Sequence, residues 1–253
     1  MTRKLIALLL PAVMCGGCPV LSSQDVPVPA TKNREPSTGA SYWLYVPEDY
    51  TPDKAWPLAI VLHGTRAPAY DTADKQINEW KRLAEDEGFI VAAPVLDSVQ
   101  GILPLIKPLW REDLQRDERV ILEMLEHLAD KYRIDRGRVL LTGFSSGGYP
   151  LYYAGLRNAE KFNALVADAC NSHLDIFEAI ELKDTAKRTP IFIFWGKDDF
   201  RTIQAEGWQA YRYLRERGCK RTKMDEIAGG HFRRPGRVYG FWMSCPPRKP
   251  ASD

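Results

Sequence analysis

The chain has 253 residues, with 35 Lys and Arg against 33 Asp and Glu, and 45% of it is hydrophobic. Such a chain can bury a full core, which excludes a disordered or fibrous protein. A net charge of +2 lacks the concentrated basic surplus of a dedicated nucleic-acid binder, and five cysteines are too few for a disulfide-dense scaffold.

The chain opens with Arg3 and Lys4, an apolar run from Leu5 to Met14, and Cys15-Gly16-Gly17-Cys18. This is the order of a secretory signal peptide, over residues 1–17. The apolar run is about half the roughly 20 residues a membrane-spanning helix needs. Gly16-Gly17 before Cys18 resembles a bacterial lipoprotein signal, which implies a lipid anchor at Cys18 and export to the cell envelope or beyond. Cleavage there removes Arg3 and Lys4 and no acid, leaving 33 basic and 33 acidic residues in a neutral mature chain. With Cys18 lipidated, Cys170, Cys219 and Cys245 remain. They allow one internal disulfide, and Cys219 with Cys245 is the expected pair.

Residues 18–40 carry Pro19, Pro27, Pro29 and Pro36 among Ser, Thr and Asn, and read as a flexible tether. From Ser41 strands and helices alternate, so residues 41–253 form one domain. Tyr42–Val46 reads as an edge strand ended by Pro47. Leu58–Leu62, followed by His63-Gly64, suits a strand buried on both faces. A helix over Ile77–Glu87 stops at Gly88, and Phe89–Ala93 is the next buried strand. Residues 94–113, with Pro94, Pro104 and Pro108, read as irregular. Leu114, Ile121, Leu125, Leu128 and Tyr132 mark an amphipathic helix over Leu114–Tyr132. Strands follow at Arg138–Thr142, Ala164–Ala167, Ile191–Trp195 and Lys223–Ile227. Helices are predicted through Arg157 and over Ile203–Arg217, the latter closed by Gly218. The pattern predicts the α/β class: a mostly parallel sheet with helices on both faces.

Gly143-Phe144-Ser145-Ser146-Gly147 is a G-x-S-x-G between a strand and a helix, the setting of a nucleophile elbow. The tight turn lifts a serine hydroxyl onto a helix N-terminus, where negative charge is favoured. Ser146 has Phe144 two residues before it, so Ser145 is the candidate nucleophile. Carboxylates and a histidine then follow in the order such sites use. Strand Ile191–Trp195 runs into Gly196-Lys197-Asp198-Asp199, and strand Lys223–Ile227 into Ala228-Gly229-Gly230-His231. His231 would take the proton from Ser145, and the acid would fix its tautomer. Position favours Asp199, with Asp198 and Asp168 as alternatives. Asp198 or Asp199 could instead cap the helix that follows. His127 reads as a helix residue, His173 as a loop residue and His63 as a brace for its own loop. The backbone N–H groups of Thr65 and Ser146 are the expected oxyanion donors. Leu103, Leu105, Ile106, Leu109 and Trp110 could line a pocket wall, as could Tyr149 after the elbow. No metal-ligand spacing, phosphate loop or dinucleotide fingerprint occurs, so no metal or cofactor is expected.

From Tyr42 to Phe232 the chain resembles the α/β-hydrolase superfamily, and within it secreted esterases of the polyhydroxyalkanoate depolymerase and feruloyl esterase type. The resemblance lies in Tyr45-Val46-Pro47 with Tyr50, Leu62-His63-Gly64, Tyr132-Arg133-Ile134-Asp135 before Arg138-Val139, Thr142 through Gly148, Gly196 through Asp199, and Gly230-His231. The family's Gly-x-x-Asp implies Asp199 as the acid. Thr65 stands where such depolymerases often carry Cys, a departure that bears on polyester as the substrate. The resemblance implies an exported serine esterase acting on a small or polymeric ester, with a peptidase or a non-catalytic binding protein on the same scaffold as alternatives.

Overall fold

The computed structural model describes residues 29–65, 73–99 and 107–248, with 107–110 as backbone only. The elements run β1 (Thr31–Arg34), β2 (Ser41–Tyr45), β3 (Trp56–Leu62), α1 (Ala73–Glu87), β4 (Ile90–Pro94), α2 (Lys107–Lys131), β5 (Ile134–Phe144) and α3 (Gly148–Arg157). They continue with β6 (Ala164–Asp168), α4 (Leu174–Glu178), α5 (Asp184–Arg188), β7 (Ile191–Gly196), α6 (Arg201–Glu216), β8 (Thr222–Ile227) and α7 (Pro235–Ser244).

One sheet has the order β1-β2-β4-β3-β5-β6-β7-β8. Strands β3 to β8 pair in parallel, whereas β1 and β2 are antiparallel additions at one edge. Every residue of β4, β6 and β7 is buried. This explains why those strands read as unbroken apolar runs: both faces are covered. Side chains alternate between two core layers. Ile191, Ile193 and Trp195 of β7 join one, with α2, α3 and α6; Phe192 and Phe194 join the other, with α1 and α7.

The structure revises several expectations. The segment read as a tether enters the sheet at Thr31, because β1 pairs with β2 in register from Thr31–Leu44 to Arg34–Ser41. The turn between them is closed by the buried Glu35 carboxylate, which accepts from Ser37 N (2.8 Å), Ser37 Oγ (3.0 Å) and Thr38 N (2.5 Å). The stretch 94–113 is not irregular to its end, since α2 begins at Lys107. Pro108 then lies in the first turn, where its missing N–H has no helical partner to lose. Helix α7 was not foreseen. It starts on Pro235 and buries Val238 and Trp242, whose indole N–H donates to Asn163 Oδ1 at 2.8 Å. Cys170, Cys219 and Cys245 are all buried and unbridged. The expected Cys219–Cys245 pair fails because Cys219 packs in one core layer and Cys245 in the other. Residues 1–17 and Cys18 lie outside the described residues, as do Leu103, Leu105 and Ile106.

Candidate active site

The C-terminal ends of the parallel strands gather the candidate residues, the usual place for a site in such a sheet. Ser145 follows β5, Asp168 ends β6, Asp199 follows β7, His231 follows β8, and Gly64-Thr65 follow β3. These residues are distant in sequence, and the strand order alone makes them neighbours.

Ser145 sits at the elbow with φ of +54°, in the left-handed region that non-glycine residues rarely enter. That conformation costs about 1–2 kcal/mol and persists only because its surroundings hold it. Ser145 N donates to Ala169 O at 3.1 Å, and Asn171 N donates to Ser145 O at 2.8 Å, so the loop after β6 brackets the residue. A Cβ on Gly143 would lie 2.5 Å from Gly147 O, and one on Gly147 would lie 2.6 Å from Leu62 O. Neither position has room for a side chain, which is the physical content of the G-x-S-x-G spacing. A 3-10 turn over Ser145–Gly147 leads directly into α3.

His231 Nδ1 lies 2.8 Å from Asp199 Oδ1, which also accepts from Phe200 N at 2.7 Å. The Asp199 side chain is fully buried, whereas that of His231 is 20% exposed. A carboxylate at Nδ1 holds the proton there and leaves the lone pair on Nε2. The imidazole rests between Phe144 and Phe200, with centroids 4.7 and 5.0 Å away. Phe144 immediately precedes Ser145, so this contact brings the histidine to the elbow. Among the described contacts, the carboxylate that meets His231 is thus that of Asp199, and neither Asp198 nor Asp199 caps α6: its N-cap is Phe200, with no side-chain cap bond.

On the opposite side, Thr65 Oγ1 and Ser146 Oγ are 3.0 Å apart. A Cβ on Gly64 would lie 3.2 Å from the Ser145 Cβ. The loop after β3 is thus tied against the elbow, with Thr65 held to Ser146. His63 fixes that loop. Leu96 N donates to its Nε2 at 3.0 Å, so the ring proton is on Nδ1, which donates to Gly64 O at 2.8 Å. A buried histidine engaged at both nitrogens is a brace and not a base.

Tyr149 is 7% exposed and packs in the α3 core layer, so it offers little open surface. Trp110 falls in the first turn of α2, and its side chain lies outside the described residues. His173 Nδ1 accepts Asp175 N at the start of α4. His127, on α2, packs edge-on against Tyr42 of β2. The sequence reading missed Phe200, although an aromatic directly after the acid was its visible signal. It weighed Asp168 only as an alternative acid. Asp168 is 4% exposed, and its Oδ2 accepts Arg234 N at 2.7 Å. Among the described residues, no group of three or more His, Cys, Asp or Glu is placed to hold a metal ion.

No protein-family model matches the chain. It is 29% identical over 167 residues to a bifunctional acetylxylan esterase/xylanase of Neocallimastix patriciarum, covering 66% of this chain and 22% of that protein. It is 23% identical over 185 residues to dipeptidyl-peptidase 5 of Porphyromonas gingivalis, covering 68% and 25%. The chain thus spans about a quarter of the length of these curated relatives. Among solved structures, a CE1 ferulic acid esterase of Anaeromyces mucronatus superimposes with a TM-score of 0.61 at 17% identity, over 84% of this chain and 87% of that one. With the strand order above, this likeness establishes the α/β-hydrolase fold.

Proposed function

We propose that the protein is a serine hydrolase that cleaves carboxylic esters through an acyl-enzyme on Ser145. The observation that carries the reading is the strained Ser145 at the elbow, whose neighbour Phe144 packs against a His231 bonded to Asp199 at 2.8 Å. Ser145 Oγ attacks the ester carbonyl carbon as His231 Nε2 takes its proton. The tetrahedral oxyanion is met by the backbone N–H groups of Thr65 and Ser146. Collapse expels the alcohol, which receives the proton from His231. Water then loses a proton to His231, attacks the acyl carbon, and releases the acid as Ser145 regains its proton. Asp199 keeps the imidazole in the Nδ1–H tautomer and stabilises the imidazolium.

Ser145→Ala should abolish hydrolysis of short p-nitrophenyl esters and labelling by a fluorophosphonate, with an unchanged fold. Wild-type turnover by that variant would overturn the mechanism. The acetylxylan esterase relative and the ferulic acid esterase neighbour favour an ester substrate. The dipeptidyl-peptidase 5 relative favours a peptide instead, and parallel assays of ester and dipeptidyl substrates separate the two readings. Export with a lipid anchor at Cys18 belongs to the same proposal and rests on the order of residues 1–18. Mass spectrometry of the mature N-terminus tests it.

A further inference from the structure

The segment that carries His231 is poorly fixed by its own sequence. It leaves β8, the last strand, through Gly229 at φ +98° and Gly230, residues that resist ordering more than any others. A general base on such a loop must be restrained from outside, because a displacement of about 1 Å can cost about 10²-fold in rate.

The restraint is visible. Lys197 N donates to Ile227 O at 2.7 Å, and Asp198 N donates to Gly229 O at 3.0 Å, which ties the start of the loop to the end of β7. A Cβ on Gly196 would lie 2.0 Å from Gly229 O, so the two segments are in backbone contact. Beyond His231, Arg233 reaches Glu79 on α1 through two bonds (2.5 and 2.6 Å), and Arg234 binds the loop to itself. The Arg234 guanidinium donates to Phe232 O (2.6 Å), Gly230 O (3.1 Å) and Ala228 O (3.3 Å). Its own backbone N–H is held by Asp168 Oδ2 at 2.7 Å. Asp168 Oδ1 is buried with no hydrogen-bond partner among the described residues, an arrangement that costs stability. A costly buried carboxyl one strand away from the catalytic acid points to a functional demand.

We infer that Asp168 and Arg234 are positioning residues for His231: the Asp168 carboxyl anchors the far end of the loop, and the Arg234 side chain gathers the carbonyls on both sides of the histidine. The inference rests on His231 being the general base of the proposed reaction. What is required of Asp168 is an acceptor oxygen, which asparagine also supplies.

The test uses the mature protein with three variants. Asp168→Ala should lower kcat on a short p-nitrophenyl ester about 10- to 100-fold, with KM within about twofold. Asp168→Asn should recover kcat to within about threefold of wild type, since it still accepts the Arg234 N–H. Arg234→Met keeps the backbone N–H and removes the guanidinium, and should lower kcat by a similar 10- to 100-fold factor. The second readout is the downfield proton resonance of His231 Nδ1–H in histidine-labelled protein. It should persist in wild type and Asp168→Asn, and broaden or vanish in the other two. A folded Asp168→Ala with wild-type kcat and an unchanged resonance overturns the inference, as does an Asp168→Asn as impaired as Asp168→Ala. If Asp168→Ala fails to fold, Arg234→Met decides by the same two measurements. If wild type hydrolyses no ester, the proposed function fails, and the resonance still decides the positioning.

Discussion

Burial at the end of β6 pushes the Asp168 carboxyl up to about 7, with the nearby Asp199 charge adding to the rise against the pull of Arg234. The folded state therefore holds a proton that the unfolded chain has released above its ordinary value of 3.8. A raised folded-state value means stability is fully present below about pH 4 and is lost as pH rises to about 7. The full loss is about three pKa units, or about 4 kcal/mol. Between about pH 5 and pH 8 the portion lost is about 2.5 kcal/mol. Asp168→Asn cannot ionise, so this loss should be missing from it. A constant offset from burying the amide remains, but it does not change with pH. Asp117 on α2 is pushed up to about 6 by burial and contributes its own fall, which both proteins share and which cancels in the comparison. Urea midpoints of wild type and Asp168→Asn across that range give the answer. The gap between them should change by about 2.5 kcal/mol in favour of the variant as pH rises, or roughly 5–10 °C in Tm for a domain of this size. A gap that stays constant with pH refutes the reasoning, because the carboxyl would then not be buried and protonated as the structure implies.

Asp199→Asn should lower kcat about 10³- to 10⁴-fold, since the amide favours the wrong imidazole tautomer; a loss under tenfold on a p-nitrophenyl ester would exclude Asp199 as the acid. Gly147→Ala places a Cβ 2.6 Å from Leu62 O and 2.7 Å from His63 O, so the elbow must shift; a destabilisation of about 1–3 kcal/mol in urea and a loss of turnover are expected together. Thr65→Val removes the 3.0 Å bond between Thr65 Oγ1 and Ser146 Oγ. At about 1 kcal/mol, this should slow fluorophosphonate labelling of Ser145 about fivefold, and an unchanged labelling rate would show that the bond does not hold the oxyanion loop.

The α/β class and the order Ser145, Asp199, His231 were legible in the sequence because each rests on local chemistry. Buried parallel strands need apolar runs, and the elbow admits only glycine beside its backbone contacts. Elements that take their stability from a distant partner were not legible. Thr31–Arg34 has no apolar alternation and is a strand only because β2 offers it an edge. Helix α7 is one because its Val238 and Trp242 cover a face that the sheet leaves open. The preference for Asp199 over Asp198 was legible in the Gly-x-x-Asp spacing, but its 2.8 Å contact to His231 appears only in the folded sheet. Asp168 and Arg234 lie 66 positions apart, and no periodicity links them. Sequence order determined which side chains stand at the strand ends. The packing of β6, β7 and β8 side by side decided which carboxylate orients the histidine and which one anchors its loop, because hydrogen bonds depend on distances that only the folded sheet sets.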